Sequence, residues 1–137
     1  MIEFLVVRSF KPLRRETVWE VIREVNSMPQ YWKGIRELNV RQVSDRTYEG
    51  AVRFAFPSSS DVRIDLGEFS LTMNFLKGIL KGMNRIEVSS TEVTSHWKVE
   101  MPLYMKPFEK RNEEHFRSGT EHALDRILEE AKRRSQG

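Results

Sequence analysis

Glu109, Asn112 and Glu113 are the residues whose types and spacing most suggest chemistry. At 100° per residue they fall on the same side of a helix as Phe116 and Ala123. Carboxylates on a core-facing side could rim a cavity mouth, hold a polar head group, or act as acid or base. The plainer reading keeps them in water in the first turns, where acids complement the helix dipole. Tyr31 is a further polar candidate at such a mouth. The three histidines, His96, His115 and His122, are not at metal-ligand spacing and pair with no carboxylate in a recognisable motif. His96 should face outward, His122 lies on the polar side of its helix, and His115 sits at the border. No serine or threonine has a G-x-S-x-G context, so no nucleophile stands out. The chain has no cysteine, which excludes disulfides, thiol catalysis and cysteine-based zinc sites. No catalytic residue, metal or cofactor is assigned.

A second set is apolar and more numerous. Tyr48, Phe54 and Phe56 share one strand face, and Ile64 and Leu66 share the next. Leu71, Met73 and Phe75 follow in a register that also turns Phe69 inward. Trp97, Val99 and Met101 come after, then Phe108 and Phe116 ahead of and on the last helix. These could line a hydrophobic pocket, a role to which methionine adapts well. They could equally pack against one another. A one-residue slip in register would turn any of these strands inside out.

The elements that must position these residues are legible from periodicity. Residues 1–9 read as a strand that Pro12 stops. From Leu13 to Asn26, Val18, Val21, Ile22 and Val25 recur at helical spacing. Ser27-Met28-Pro29 breaks that helix, and a short second one through Tyr31 and Trp32 should end at Gly34 as a left-handed cap. The period then switches to two, and six consecutive strands with one apolar face imply a curved antiparallel meander. Pro57 to Asp61 should form a hairpin loop. A long helix from about Lys106 to Arg134 closes the chain, with Phe116, Ala123, Ile127 and Ala131 as its buried stripe. Gly119 interrupts it, at a cost of about 1 kcal/mol relative to alanine, which suggests a packing role.

Composition sets the outer bounds. The 137 residues are 39% hydrophobic and 31% charged, a globular balance with room for one domain spanning 1–137. Folding should leave roughly 7,500 Å² accessible, about a third of the unfolded value. A net charge of +3 is too small to argue nucleic-acid binding. No apolar run approaches the ~20 residues of a membrane span. The N-terminus reads as a strand, not a signal peptide, so the expected location is the cytoplasm. Arginine supplies 15 of the 23 basic residues, which with the missing cysteine gives a compositional hint of a thermophile.

The stretch ETVWEVIREVNSMPQYWKGIRELNV resembles the N-terminal signature of the START-like (SRPBCC) superfamily. The resemblance lies in Val18-Trp19 on the first helix, the step from Glu24 to Asn26, Trp32, and Ile35 to Val40 opening the next strand. The element order over residues 1–134 matches as well. Two departures are visible. The spacing from Pro12 to Val18-Trp19 is about two residues longer than usual. The turn Ser44-Asp45-Arg46-Thr47 lacks the glycines of the plant-allergen branch, so a phosphate cradle there is unsupported. The resemblance implies an α+β helix-grip fold, in β-α-α-β6-α order, with a deep cavity for lipids, sterols, polyketides or other hydrophobic molecules. The expected function is binding or carriage of such a molecule. The alternatives are a polyketide cyclase/dehydrase-type enzyme and a module acting on a macromolecular partner. The first needs an ionisable group inside the cavity; the second needs a concentrated basic patch beside exposed aromatics.

Overall fold

The computed structural model describes residues 1–137. Strand β1 (Ile2–Ser9) leads into helix α1 (Arg15–Ile22), a 3₁₀ turn (Val25–Ser27) and helix α2 (Met28–Tyr31). Six strands follow: β2 (Ile35–Ser44), β3 (Thr47–Phe54), β4 (Ser59–Gly67), β5 (Ser70–Gly78), β6 (Lys81–Val88) and β7 (Glu92–Glu100). A second 3₁₀ turn (Leu103–Phe108) then opens helix α3 (Glu109–Gln136), 28 residues long. The seven strands form one antiparallel sheet in the order β1-β7-β6-β5-β4-β3-β2. The accessible surface is 8029 Å², close to the expectation from mass. No helix is long and apolar enough to cross a membrane.

The alternation read from the sequence sets the sheet's two faces. Ile64, Met73, Asn84, Trp97 and Phe4 are successive cross-strand partners, so they form one inward row across β4, β5, β6, β7 and β1. The sheet bends by inserting residues. At a bulge in β5, Asp61 pairs with Lys77 and Val62 with Phe75, which leaves Leu76 unmatched and half exposed. Gly82 has φ +132, and a Cβ there would strike the Lys98 carbonyl on β7. Glycine is what allows β6 and β7 to approach at that point.

Several boundaries differ from the sequence reading. Helix α1 ends at Ile22, because Asn26-Ser27 and Pro29 favour a tight turn; Val25 still reaches the core, from the 3₁₀ turn. Gly34 is not left-handed: α2 ends at Tyr31, and Trp32 turns its ring into the core at 6% exposure. The last helix begins at Glu109, since Pro107 cannot donate a helical hydrogen bond and sits in the 3₁₀ turn instead. Phe69 does not share the face of Met73. It occupies the β4–β5 turn at φ +56, under the Arg15 guanidinium (3.8 Å) and beside Trp19.

Helix α3 lies against β1 and α1 rather than across the middle of the sheet. Its C-terminal half is packed: Thr120, Ala123, Leu124, Ile127 and Ala131 are all buried. Its N-terminal half is mostly exposed. The interior therefore has a solid end beneath α1 and an open end beneath the first turns of α3.

Candidate functional site

The open end holds a cavity of about 680 Å³, and thirteen of its twenty lining residues are hydrophobic. The strands contribute Phe54 from β3, Met73 and Phe75 from β5, Asn84 from β6 and Trp97 from β7. Met28, Trp32 and Ile35 form a second wall. Phe108, Arg111, Asn112, His115, Phe116 and Gly119 close it along α3 and the turn before it. Arg111, His115 and Gly119 recur every four residues, so one edge of the helix forms the lip. All three are exposed.

Trp97 is the centre of the aromatic lining. Its ring lies 5.9 Å from Phe75 and 5.6 Å from Phe116, both near-parallel, and 6.3 Å from Trp32, tilted. Phe54 and Phe56 stack at 5.0 Å nearer the mouth. Rings at these separations gain from offset stacking beyond simple burial. The polar lining is sparse. Asn112 donates from Nδ2 to Met101 Sδ at 3.3 Å, and Thr120 donates its hydroxyl to the Phe116 carbonyl at 2.7 Å. Asn84 accepts at Oδ1 from Ser95 Oγ at 2.7 Å. No carboxylate lines the cavity, and no three His, Asp or Glu side chains converge to hold a metal ion.

Phe54, Phe56, Met73, Phe75, Trp97, Met101, Phe108 and Phe116 lie on the cavity wall, and so does Asn112. Ile64, Leu71 and Val99 point inward but are fully buried within the solid core, away from the cavity. Tyr48, just after the β2–β3 turn, and Leu66, just before the β4–β5 turn, are half-buried and also lie outside it. The reason is common to all five: alternation assigns a face, while position relative to the open end beneath the first turns of α3 decides whether that face meets space or another side chain.

The remaining polar candidates at the mouth are also elsewhere. Glu109 pairs with the N-terminal ammonium at 2.8 Å, which holds its carboxyl below the usual range. It sits in a separate recess of about 200 Å³. Glu113 is half-buried off the cavity wall. Tyr31 packs beside α3, where its carbonyl accepts from Arg126 at 2.9 Å and burial raises its phenol pKa. Sequence reasoning missed Asn84, His115, Arg111 and Gly119 as lining. Asn84 lies two residues before Ile86, so the same alternation extended by one step reaches it. Gly119 does not serve close packing, since a Cβ there would meet nothing within 4 Å.

Several solved structures share this architecture. TTHA0849 from Thermus thermophilus superposes with a TM-score of 0.80 at 13% identity, covering 97% of this chain and 99% of that one. The Zhui aromatase/cyclase from Streptomyces sp. R1128 gives 0.75 at 13% identity, covering 97% and 94%. A STAR-related lipid transfer protein from Xanthomonas axonopodis gives 0.59 at 11% identity, covering 95% and 85%. No family model and no curated protein sequence matches the chain. The chain therefore has the START-like helix-grip fold of these structures, a curved antiparallel sheet with a long C-terminal helix. The fold is reached here with little sequence in common.

Proposed function

We propose that this protein binds and carries a small, mostly apolar molecule in the cavity beneath the first half of α3. The observation that carries the reading is the cavity itself: about 680 Å³, walled by aromatic and methionine side chains. That volume lies in the range of sites for small organic ligands. Affinity would come from apolar burial, at roughly 25 cal/mol per Å² before ordering costs. The aromatic share of the wall favours a ligand with flat or conjugated parts over a purely aliphatic chain.

A second reading, a cyclase-type enzyme, draws on His115. It is the one histidine on the cavity wall, and the Zhui aromatase/cyclase shares the fold. Against it stands the absence of any carboxylate or tyrosine on that wall to work with the imidazole. Carriage needs neither.

Native mass spectrometry of the purified protein, with extraction of any bound compound, tests the proposal. The expected result is a hydrophobic compound at one per chain, absent from a Gly119→Phe variant that unfolds at or above the wild-type midpoint. Gly119 suits this role because it faces open space on the lip. A clean unliganded mass, together with no uptake of Nile red by the wild type, would refute carriage.

A further inference from the structure

We propose that the deep wall of this cavity recognises a carbonyl oxygen on the ligand, with the Asn84 amide and the Trp97 indole as donors. The inference rests on the carrier reading and adds the functional group that the ligand must bear. Asn84 is 2% exposed, and it is the one polar member of the inward row of Ile64, Met73, Trp97 and Phe4. Its amide is oriented. The fully buried Ser95 donates to Oδ1 at 2.7 Å, which commits the acceptor and leaves the Nδ2 hydrogens without a protein partner.

Directly opposite on β7 is Trp97, the register partner of Asn84. Its Nε1 is the one buried side-chain nitrogen or oxygen that makes no hydrogen bond. Both residues line the cavity and neither donor has a protein partner; of the two, only Trp97 Nε1 is fully buried, where an unmet donor is costly. A bound acceptor removes that cost.

The surroundings narrow the acceptor. An anion would need a countercharge when buried, and the one arginine of this cavity, Arg111, stands on the exposed lip. A ligand hydroxyl would bring a hydrogen of its own, and Asn84 Oδ1 is turned toward Ser95 with one of its two lone pairs taken. A ketone, ester or amide oxygen has two lone pairs and no hydrogen. It can take both donors and leaves nothing unpaired.

Equilibrium dialysis with a matched pair of probes, 9-fluorenone and fluorene, reads this directly. The two share their flat frame and differ in the carbonyl. The wild type should hold fluorenone about tenfold more tightly, the effect of roughly one net hydrogen bond. An Asn84→Leu/Ser95→Ala variant, which removes both polar partners together, should bind the two alike, so the ratio of the two affinities is the readout. A Trp97→Phe variant should narrow the preference in the same direction. The infrared carbonyl band of fluorenone on the wild-type protein needs no variant, and should lie at lower frequency than in hexane. Equal binding of both probes by the wild type, or a band at the hexane position, would overturn the carbonyl site and leave the carrier reading intact. A preference that survives in both variants would overturn it too. Retention of neither probe would overturn both readings.

Discussion

Gly119 shows how a single residue separates packing from function. A glycine inside an exposed helix lowers stability relative to alanine by about 0.8–1 kcal/mol, and here no close approach requires it. Space for a Cβ is open, and the backbone is ordinary helix. Gly119→Ala should therefore raise stability by up to about 1 kcal/mol, read as a higher midpoint in urea unfolding with an unchanged slope. An unchanged or lower midpoint would mean that the helix needs the glycine after all. At this scale the sequence was partly legible. Period-two alternation placed Phe54, Met73, Phe75 and Trp97 on the correct face. It could not separate them from Ile64, Leu71 and Val99, which share that face but lie where the helix leaves no space. Nor does alternation mark a polar residue on an apolar face as deliberate, and so Asn84 went unread.

At the scale of elements, the two halves of α3 are held differently. The C-terminal half is tied down by charge as well as burial. Arg134 forms a bidentate pair with Glu24, just after α1, at 2.9 and 3.0 Å, and also reaches Glu130 at 2.7 Å. Arg133 adds a second cation to Glu130 at 2.6 Å. The hydrogen bonds from Arg134 lower the Glu24 pKa, and those from Arg133 and Arg134 bring Glu130 down to about 2. Groups depressed in the folded state stabilise it above their ordinary value near 4.5, and that contribution is lost as pH falls toward about 2. A Glu24→Gln/Glu130→Gln variant should thus melt below the wild type at pH 7, with the gap closing between pH 4.5 and 2. Because the groups are partly in water the gap should be small and should shrink with salt. A gap constant across that range would assign the difference to packing. The strand meander and the long helix were legible because their periods persist over many residues. The ends of α1 and α2 were not, since turn-forming residues near Pro29 decide them over one or two positions. The Arg134–Glu24 pair joins positions 110 residues apart, a distance over which local pattern carries no information.

At the scale of the whole molecule, the fold divides a packed core from an open chamber within one sheet. Ile64 and Leu71 belong to the first, both with no accessible surface; Phe116 belongs to the second, half-buried on the cavity wall. Removing side chain from a close-packed region loses transfer energy and leaves a void, at about 2–5 kcal/mol for Leu or Ile to Ala. Removing it from the wall of an existing cavity leaves no new unfilled space of comparable cost, because that face already lacks partners. The two halves should therefore respond in opposite ways. Leu71→Ala should lower stability by several kcal/mol while still taking up Nile red under conditions where it remains folded. Phe116→Ala should cost much less stability yet weaken uptake, since it removes one of the rings stacked on Trp97. Urea unfolding and dye titration on the same two proteins check both halves together. If the variants lost stability and binding in proportion, the chamber would be energetically continuous with the core, and ligand uptake would have to be coupled to loosening of the fold as a whole. If they separate as expected, the solid end maintains the sheet's curvature without the ligand. The chamber's lining is then free to trade packing for recognition.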